Sequence, residues 1–181
     1  WGDELRETLL ARYGLPREAL AEQYAQVRDE WLAADADGWL AAHSFHSEAV
    51  AALRECSARD ASVYVLTTKP QRFAIVLLEH IGVALEPSHV FGLEHGPKSE
   101  VLYLLLERHP TEQLCVVDDN AVNLRGMAAD RRLFSAQLWF AAWGYSTPQQ
   151  RALVATMPRV RTLDNGAALH RVLVDSLGAG H

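Results

Sequence analysis

Apolar residues recur at helical spacing along the first third of the chain. Leu5, Leu9 and Leu10 share one face, and Tyr13-Gly14 stops the run. A second run opens at Pro16 and sets Leu20, Tyr24, Val27, Trp31 and Leu32 along one stripe until Gly38 breaks it. A third helix is expected over residues 47–57, with Ser47 as its N-cap and Val50, Leu53 and Cys56 on its apolar face. After residue 60 the pattern changes. Val63-Tyr64-Val65-Leu66-Thr67 shows no polar alternation, as expected for a strand covered on both faces. Residues 70–81 read as a helix ended by Gly82, and 89–92 as a short strand. Residues 99–109 read as a helix stopped by Pro110, then 114–118 as a second buried strand leading into a helix through Ala129. Residues 137–141 and 160–163 are further strands, and a helix over about 166–177 closes the chain.

Strands and helices alternate from residue 60 onward. That order predicts an α/β fold, a Rossmann-like sheet of parallel strands crossed over by helices. Residues 1–45 are set apart as a helical cap segment, and 46–181 as the α/β core. No internal repeat or low-complexity linker interrupts the pattern.

Composition narrows the partners. With 49% hydrophobic and 22% charged residues, the 181-residue chain has an ordinary globular make-up. Its net charge is −6 and it carries no Lys/Arg stripe, which argues against a nucleic-acid partner. Apolar runs of about half a dozen residues fall far short of the ~20 that span a bilayer. Cys56 and Cys115 both sit among apolar residues, as reduced core thiols in a cytoplasmic protein would. The chain starts on Trp1, from which we expect further sequence upstream. Its 17 basic residues include only two lysines, Lys69 and Lys98.

In open parallel sheets ligands bind at the carboxyl ends of strands. Three features fall there. Thr67 and Thr68 follow one apolar run, and Asp118 and Asp119 follow another. Lys98 opens a helix, where it opposes the helix dipole. Each has a plain structural explanation: a threonine N-cap, a solvated lysine, a cap beside a surface charge. In this order they suit another purpose. Adjacent carboxylates favour a hard cation such as Mg²⁺, which accepts one or two carboxylates plus a phosphate oxygen. A hydroxyl and an ammonium nearby suit phosphoryl oxygens.

The succession V-Y-V-L-T-T-K-P, G-P-K-S-E and C-V-V-D-D-N-A-V-N-L resembles the second, third and fourth motifs of the haloacid dehalogenase-like hydrolases. Residues 1–45 resemble the small helical cap of many members, and H-S-F-H-S-E-A-V-A-A-L the stretch that re-enters the core. There His46-Ser47-Glu48 stands in place of an aromatic-Pro-Gly. L-W-F-A-A-W-G-Y-S-T resembles the strand and Trp-Gly-Tyr loop of phosphatase-like members. The resemblance covers nearly the whole chain. It implies that Thr67 holds a phosphoryl oxygen, with Thr68 close by, and that Lys98 neutralises charge in the transition state. It implies that Asp119 is the main Mg²⁺ ligand, Asp118 lies beside it and Asn123 supports the metal site. The implied substrate is a small phosphorylated metabolite.

Such hydrolases begin with a strand ending in Asp-x-Asp, whose first Asp attacks phosphorus to form a phosphoaspartate. Asp35-Ala36-Asp37-Gly38 has the lettering but follows helical periodicity and the charged Arg28, Asp29 and Glu30; it reads better as an acidic helix end stopped by glycine. The family's nucleophile strand lies between the strands ending at Thr67 and Asp118. Without it each buried unpaired backbone group costs about 1–3 kcal/mol. The expectation is therefore a truncated chain, lacking its central nucleophile strand and inactive alone, taken from a Mg²⁺-dependent phosphatase. The alternative is a degenerate, non-catalytic fold kept for binding or assembly. A dehalogenase would not need the acidic pair, and a receiver domain would place its acids earlier in the chain. His43 and His46 form an H-x-x-H spacing with no secure third ligand.

Overall fold

The computed structural model describes residues 3–14, 16–59 and 62–178 of the protein. The chain divides into two compact units, residues 1–44 and 45–181.

Among the described residues the first unit holds three helices: α1 (Asp3–Tyr13), α2 (Arg17–Ala34) and α3 (Ala36–Ala41). Gly14, at φ +62°, lets the chain turn after α1. The break between α2 and α3 falls at Asp35 and not, as the spacing predicts, at Gly38. The Asp35 carboxylate accepts the Gly38 N–H at 2.9 Å and so caps α3. Gly38 lies inside that helix because its missing side chain admits the carboxylate: a Cβ there would sit 1.9 Å from Asp35 Oδ2. The stripe predicted along α2 forms but stays open, with Tyr24 65% and Val27 60% exposed. Trp1, and the side chains of Leu5 and Leu9 that defined the first apolar face, lie outside the described residues.

The second unit is α/β. In chain order it contains α4 (Ser47–Ser57), β1 (Val65–Leu66), α5 (Gln71–His80), β2 (Val90–Phe91), α6 (Lys98–Arg108), β3 (Cys115–Asp118), α7 (Ala121–Ala129), β4 (Gln137–Ala141), α8 (Pro148–Val154), β5 (Val160–Leu163) and α9 (Gly166–Gly178). His46, not Ser47, is the N-cap residue of α4, and its side chain makes no capping bond. Among the described residues all strand pairs are parallel, in two sheets: β1–β2, and β3–β4–β5.

The larger sheet is covered on both faces. Val116, Leu138 and Phe140 point to one side, where they pack with Leu102 of α6 and Leu124 and Met127 of α7. Val117 and Trp139 point to the other, toward Ala49 and Ala52 of α4 and Leu169 of α9. This alternation follows from the period of two along a strand. The His170 imidazole donates to the Glu55 carboxylate at 2.7 Å and ties α9 to α4. A smaller cluster of Ala74, Leu78, Val83 and Val90 seats α5 on the β1–β2 pair.

The single continuous sheet implied by the strand order is replaced by two. Among the described residues, β1 pairs only with β2, and β3 only with β4. The predicted five-residue strand 63–67 shrinks to Val65–Leu66, because a strand persists only where a neighbour completes its ladder. Burial does not follow pairing alone, since Val90, Val160 and Leu163 are buried on strands paired on one side only. In β4, flanked on both sides, Leu138 and Phe140 are fully buried. The equally apolar Val65, Leu66, Val116 and Val117 are only partly buried.

Candidate functional site

The carboxyl end of β3 assembles the charged residues. Asp118 is the last residue of the strand and the one buried charged residue of the chain's described part. Its side chain is only 4% exposed. Lys98 Nζ donates to Asp118 Oδ2 at 2.8 Å. This contact accounts for a lysine in the first turn of α6: the carboxylate across the gap offsets the unfavourable helix dipole. The Asn123 amide donates to the same oxygen at 3.2 Å, and the Asn120 N–H to Oδ1 at 2.8 Å. Asn120 in turn caps α7 by accepting the N–H groups of Val122 and Asn123. One hydrogen-bonded chain thus runs from strand end into helix start and fixes Asp118 from three directions.

Asp119 is held differently. Its Oδ2 accepts the Tyr145 N–H at 2.9 Å. Gly144 makes that approach possible: a Cβ there would lie 2.5 Å from the Asp119 Cβ and 2.6 Å from its Oδ2. The loop after β4 therefore closes against Asp119, and Oδ1 has no protein donor in the described hydrogen bonds.

Lys98, Asp118 and Asp119 line one cavity of about 260 Å³, whose other wall includes His46, Trp143 and Tyr145. A second cavity of about 370 Å³ is also lined by the His46–Trp143 pair. The two carboxylates and one ammonium leave the first cavity with a net negative charge. A divalent cation fits this donor set through Asp119, with Asp118 already committed to Lys98, Asn120 and Asn123. Among the described residues no group of three or more His, Cys, Asp or Glu side chains is arranged to hold a metal. Any Mg²⁺ here would take its remaining ligands from water and a bound anion, as that ion commonly does.

The other sequence candidates fall elsewhere. Thr67 and Thr68 lie at the end of β1, and neither lines the cavity. The Thr67 hydroxyl accepts the Lys69 N–H at 3.1 Å, and Thr68 is exposed. Asn123 stands behind Asp118. Asp35 and Asp37 belong to the first unit, at the start of α3. His43 contacts the Trp39 carbonyl at 2.9 Å, whereas His46 packs edge-on against Trp143, centroids 4.8 Å apart.

His46 and Tyr145 carry no signal as a pair in the sequence, since 98 intervening residues and the whole sheet bring them together. The Trp-Gly-Tyr lettering marks one wall, and nothing in the pattern joins it to His46. A second polar relay lies at the start of β1, away from the carboxyl ends. Tyr64 donates to His109 Nε2 at 2.6 Å, and His109 Nδ1 donates to Glu112 at 2.8 Å. It ties the approach to β1 to the end of α6.

Burial pushes the Cys115 thiol up to about 11 and raises that of Cys56 as well, so neither supplies a thiolate near neutral pH. No helix among the described residues is long and apolar enough to cross a membrane. Compared with protein-family models, curated proteins and solved structures, the chain matches none.

Proposed function

We propose that this chain carries the metal- and phosphoryl-handling part of a haloacid dehalogenase-like, Mg²⁺-dependent phosphatase of small phosphomonoesters. One observation carries the reading: Lys98, Asp118 and Asp119 meet in one cavity at the carboxyl end of a parallel strand. In this reading Asp119 holds Mg²⁺, which supplies positive charge to the phosphoryl oxygens. Lys98 neutralises the remaining charge, and Asp118, fixed by Asn120 and Asn123, orients the lysine. Neither aspartate is the nucleophile. Both oxygens of Asp118 accept protein hydrogen bonds, and Asp119 is needed for the cation. The reading puts the attacking carboxylate on a further strand between β1 and β3. The only partly buried apolar residues of those two strands support it.

The test is thermal. At a tenfold excess over its Kd, Mg²⁺ stabilises the folded chain by about 1.4 kcal/mol. For a chain of this size that raises Tm by about 3–5 °C. The rise should vanish in Asp119→Asn. A wild-type Tm indifferent to Mg²⁺ would sink the metal assignment.

The full engagement of Asp118 and the placement of Thr67 outside the cavity favour a second reading, a non-catalytic module with the same fold. Under it Mg²⁺ leaves Tm unchanged and the Lys98–Asp118 pair serves only to join α6 to β3.

A further inference from the structure

We infer that the aromatic side chains beside Asp119 receive the organic part of the ligand, and that this part is a planar aromatic ring; the inference rests on the phosphoryl-site reading above. Three observations carry it. The first is placement. The Tyr145 N–H bonds to Asp119 Oδ2, so its ring is tethered next to the carboxylate that defines the charged end of the cavity. The second is exposure. Tyr145 is 87% exposed, and among the described residues its ring packs against no other aromatic. A large ring left open beside a charged cavity is a surface awaiting a contact, unlike an aromatic inserted in a core. The third is the neighbouring pair. His46 stands edge-on to Trp143, and the Trp143 indole N–H is buried without a partner. That pair lines both cavities, so a ligand reaching from one toward the other meets it.

The chemistry of the walls selects the ligand class. The charged groups of the first cavity are committed: Lys98 to Asp118, and Asp119 to the Tyr145 backbone and the charged end of the ligand. What remains for the rest of the ligand is π-surface from Trp143, Tyr145 and His46. A flat ring covers such faces by stacking, whatever its substituents, which a polyol cannot do. The shared chemistry is an aryl or heteroaryl phosphomonoester.

Calorimetric titration of the 181-residue chain in Mg²⁺ tests this with two probes of equal charge, phenylphosphonate and methylphosphonate. Phenylphosphonate should bind roughly tenfold tighter, the size expected of one stacked ring. Tyr145→Ala should erase that advantage and Tyr145→Phe should keep it, while Asp119→Asn should abolish binding of both probes. Equal affinities for the two probes, both lost in Asp119→Asn, would overturn the aromatic assignment and leave the phosphoryl site standing. An advantage that survives Tyr145→Ala would also overturn it. If neither probe binds the wild-type chain, the phosphoryl reading fails and this inference with it.

Discussion

Replacing Lys98 by Met asks what the cavity's ion pair contributes to folding. Met keeps the length and helix propensity of the lysine stem and removes the charge. At 2.8 Å, with the effective dielectric of about 20 that suits such sites, the gross attraction is about 6 kcal/mol. Most of it offsets the cost of burying the Asp118 carboxylate, which is 4% exposed; Lys98, 25% exposed, loses less water. Without Lys98 the carboxylate keeps the Asn120 N–H and the Asn123 amide but has no countercharge. Losses of about 3–5 kcal/mol follow when one partner of a buried pair is removed. The partial exposure of Lys98 places this one at the low end, about 3 kcal/mol. With a urea m-value of about 2 kcal/mol per M, the midpoint should fall by about 1.5 M, read from indole fluorescence. Adding Asp118→Asn removes the stranded charge and should restore more than half the loss, a coupling that a double-mutant cycle measures directly. A shift below about 0.5 M for Lys98→Met, or no recovery in the double variant, would refute the view that Lys98 is the countercharge of Asp118.

Two further outcomes concern charge and thiol chemistry. The Arg132 guanidinium bonds both Glu100, at 2.7 and 3.0 Å, and Asp130, at 2.7 Å, and holds their carboxyls below their ordinary values of 4.5 and 3.8. A depressed carboxyl stabilises the fold above its unfolded value, and this is lost as pH falls through the folded value. The Tm gap between wild type and Arg132→Leu should therefore be widest near pH 7 and close below about pH 4; a gap constant from pH 7 to pH 3 would exclude the linkage. With Cys115 raised to about 11, its thiolate fraction at pH 8 is on the order of one in a thousand. Iodoacetamide at pH 8 should label the native chain far more slowly than the urea-unfolded one, by intact mass; equal rates would show the thiols to be open.

The strands of the larger sheet and most helices are legible in the sequence, because buried parallel strands are short apolar runs and helices keep their period. Residues 137–141 and 160–163 match β4 and β5 end to end. The departures have local causes. Asp35 ends α2 because its carboxylate turns back onto Gly38, a bond that spacing alone cannot distinguish from a glycine stop. Ser47 reads as an N-cap by residue type, yet His46 occupies the position. The seven-residue helix α8 is too short to show a period. At the site, Asp118 and Asp119 are legible as strand-end acids and Lys98 as a misplaced helix-start cation. Their direct pairing is not, since it depends on how α6 lies across β3. Thr67 shares a strand end with no side chain of the cavity, because its strand belongs to the other sheet.

The seam between α4 and α9 has a consequence for chain topology. Glu55 and His170 are 115 residues apart, yet they touch at 2.7 Å, so the first and last helices of the second unit lie against each other. Closing a flexible loop of that length costs about 4 kcal/mol of chain entropy beyond a constant. Among the described residues both sheets and the four helices α5 to α8 lie within the loop. A short covalent link between α4 and α9 at that contact would remove much of that entropy from the unfolded chain. Both sheets would then lie inside a covalent ring, with the chain on either side of the link as tails.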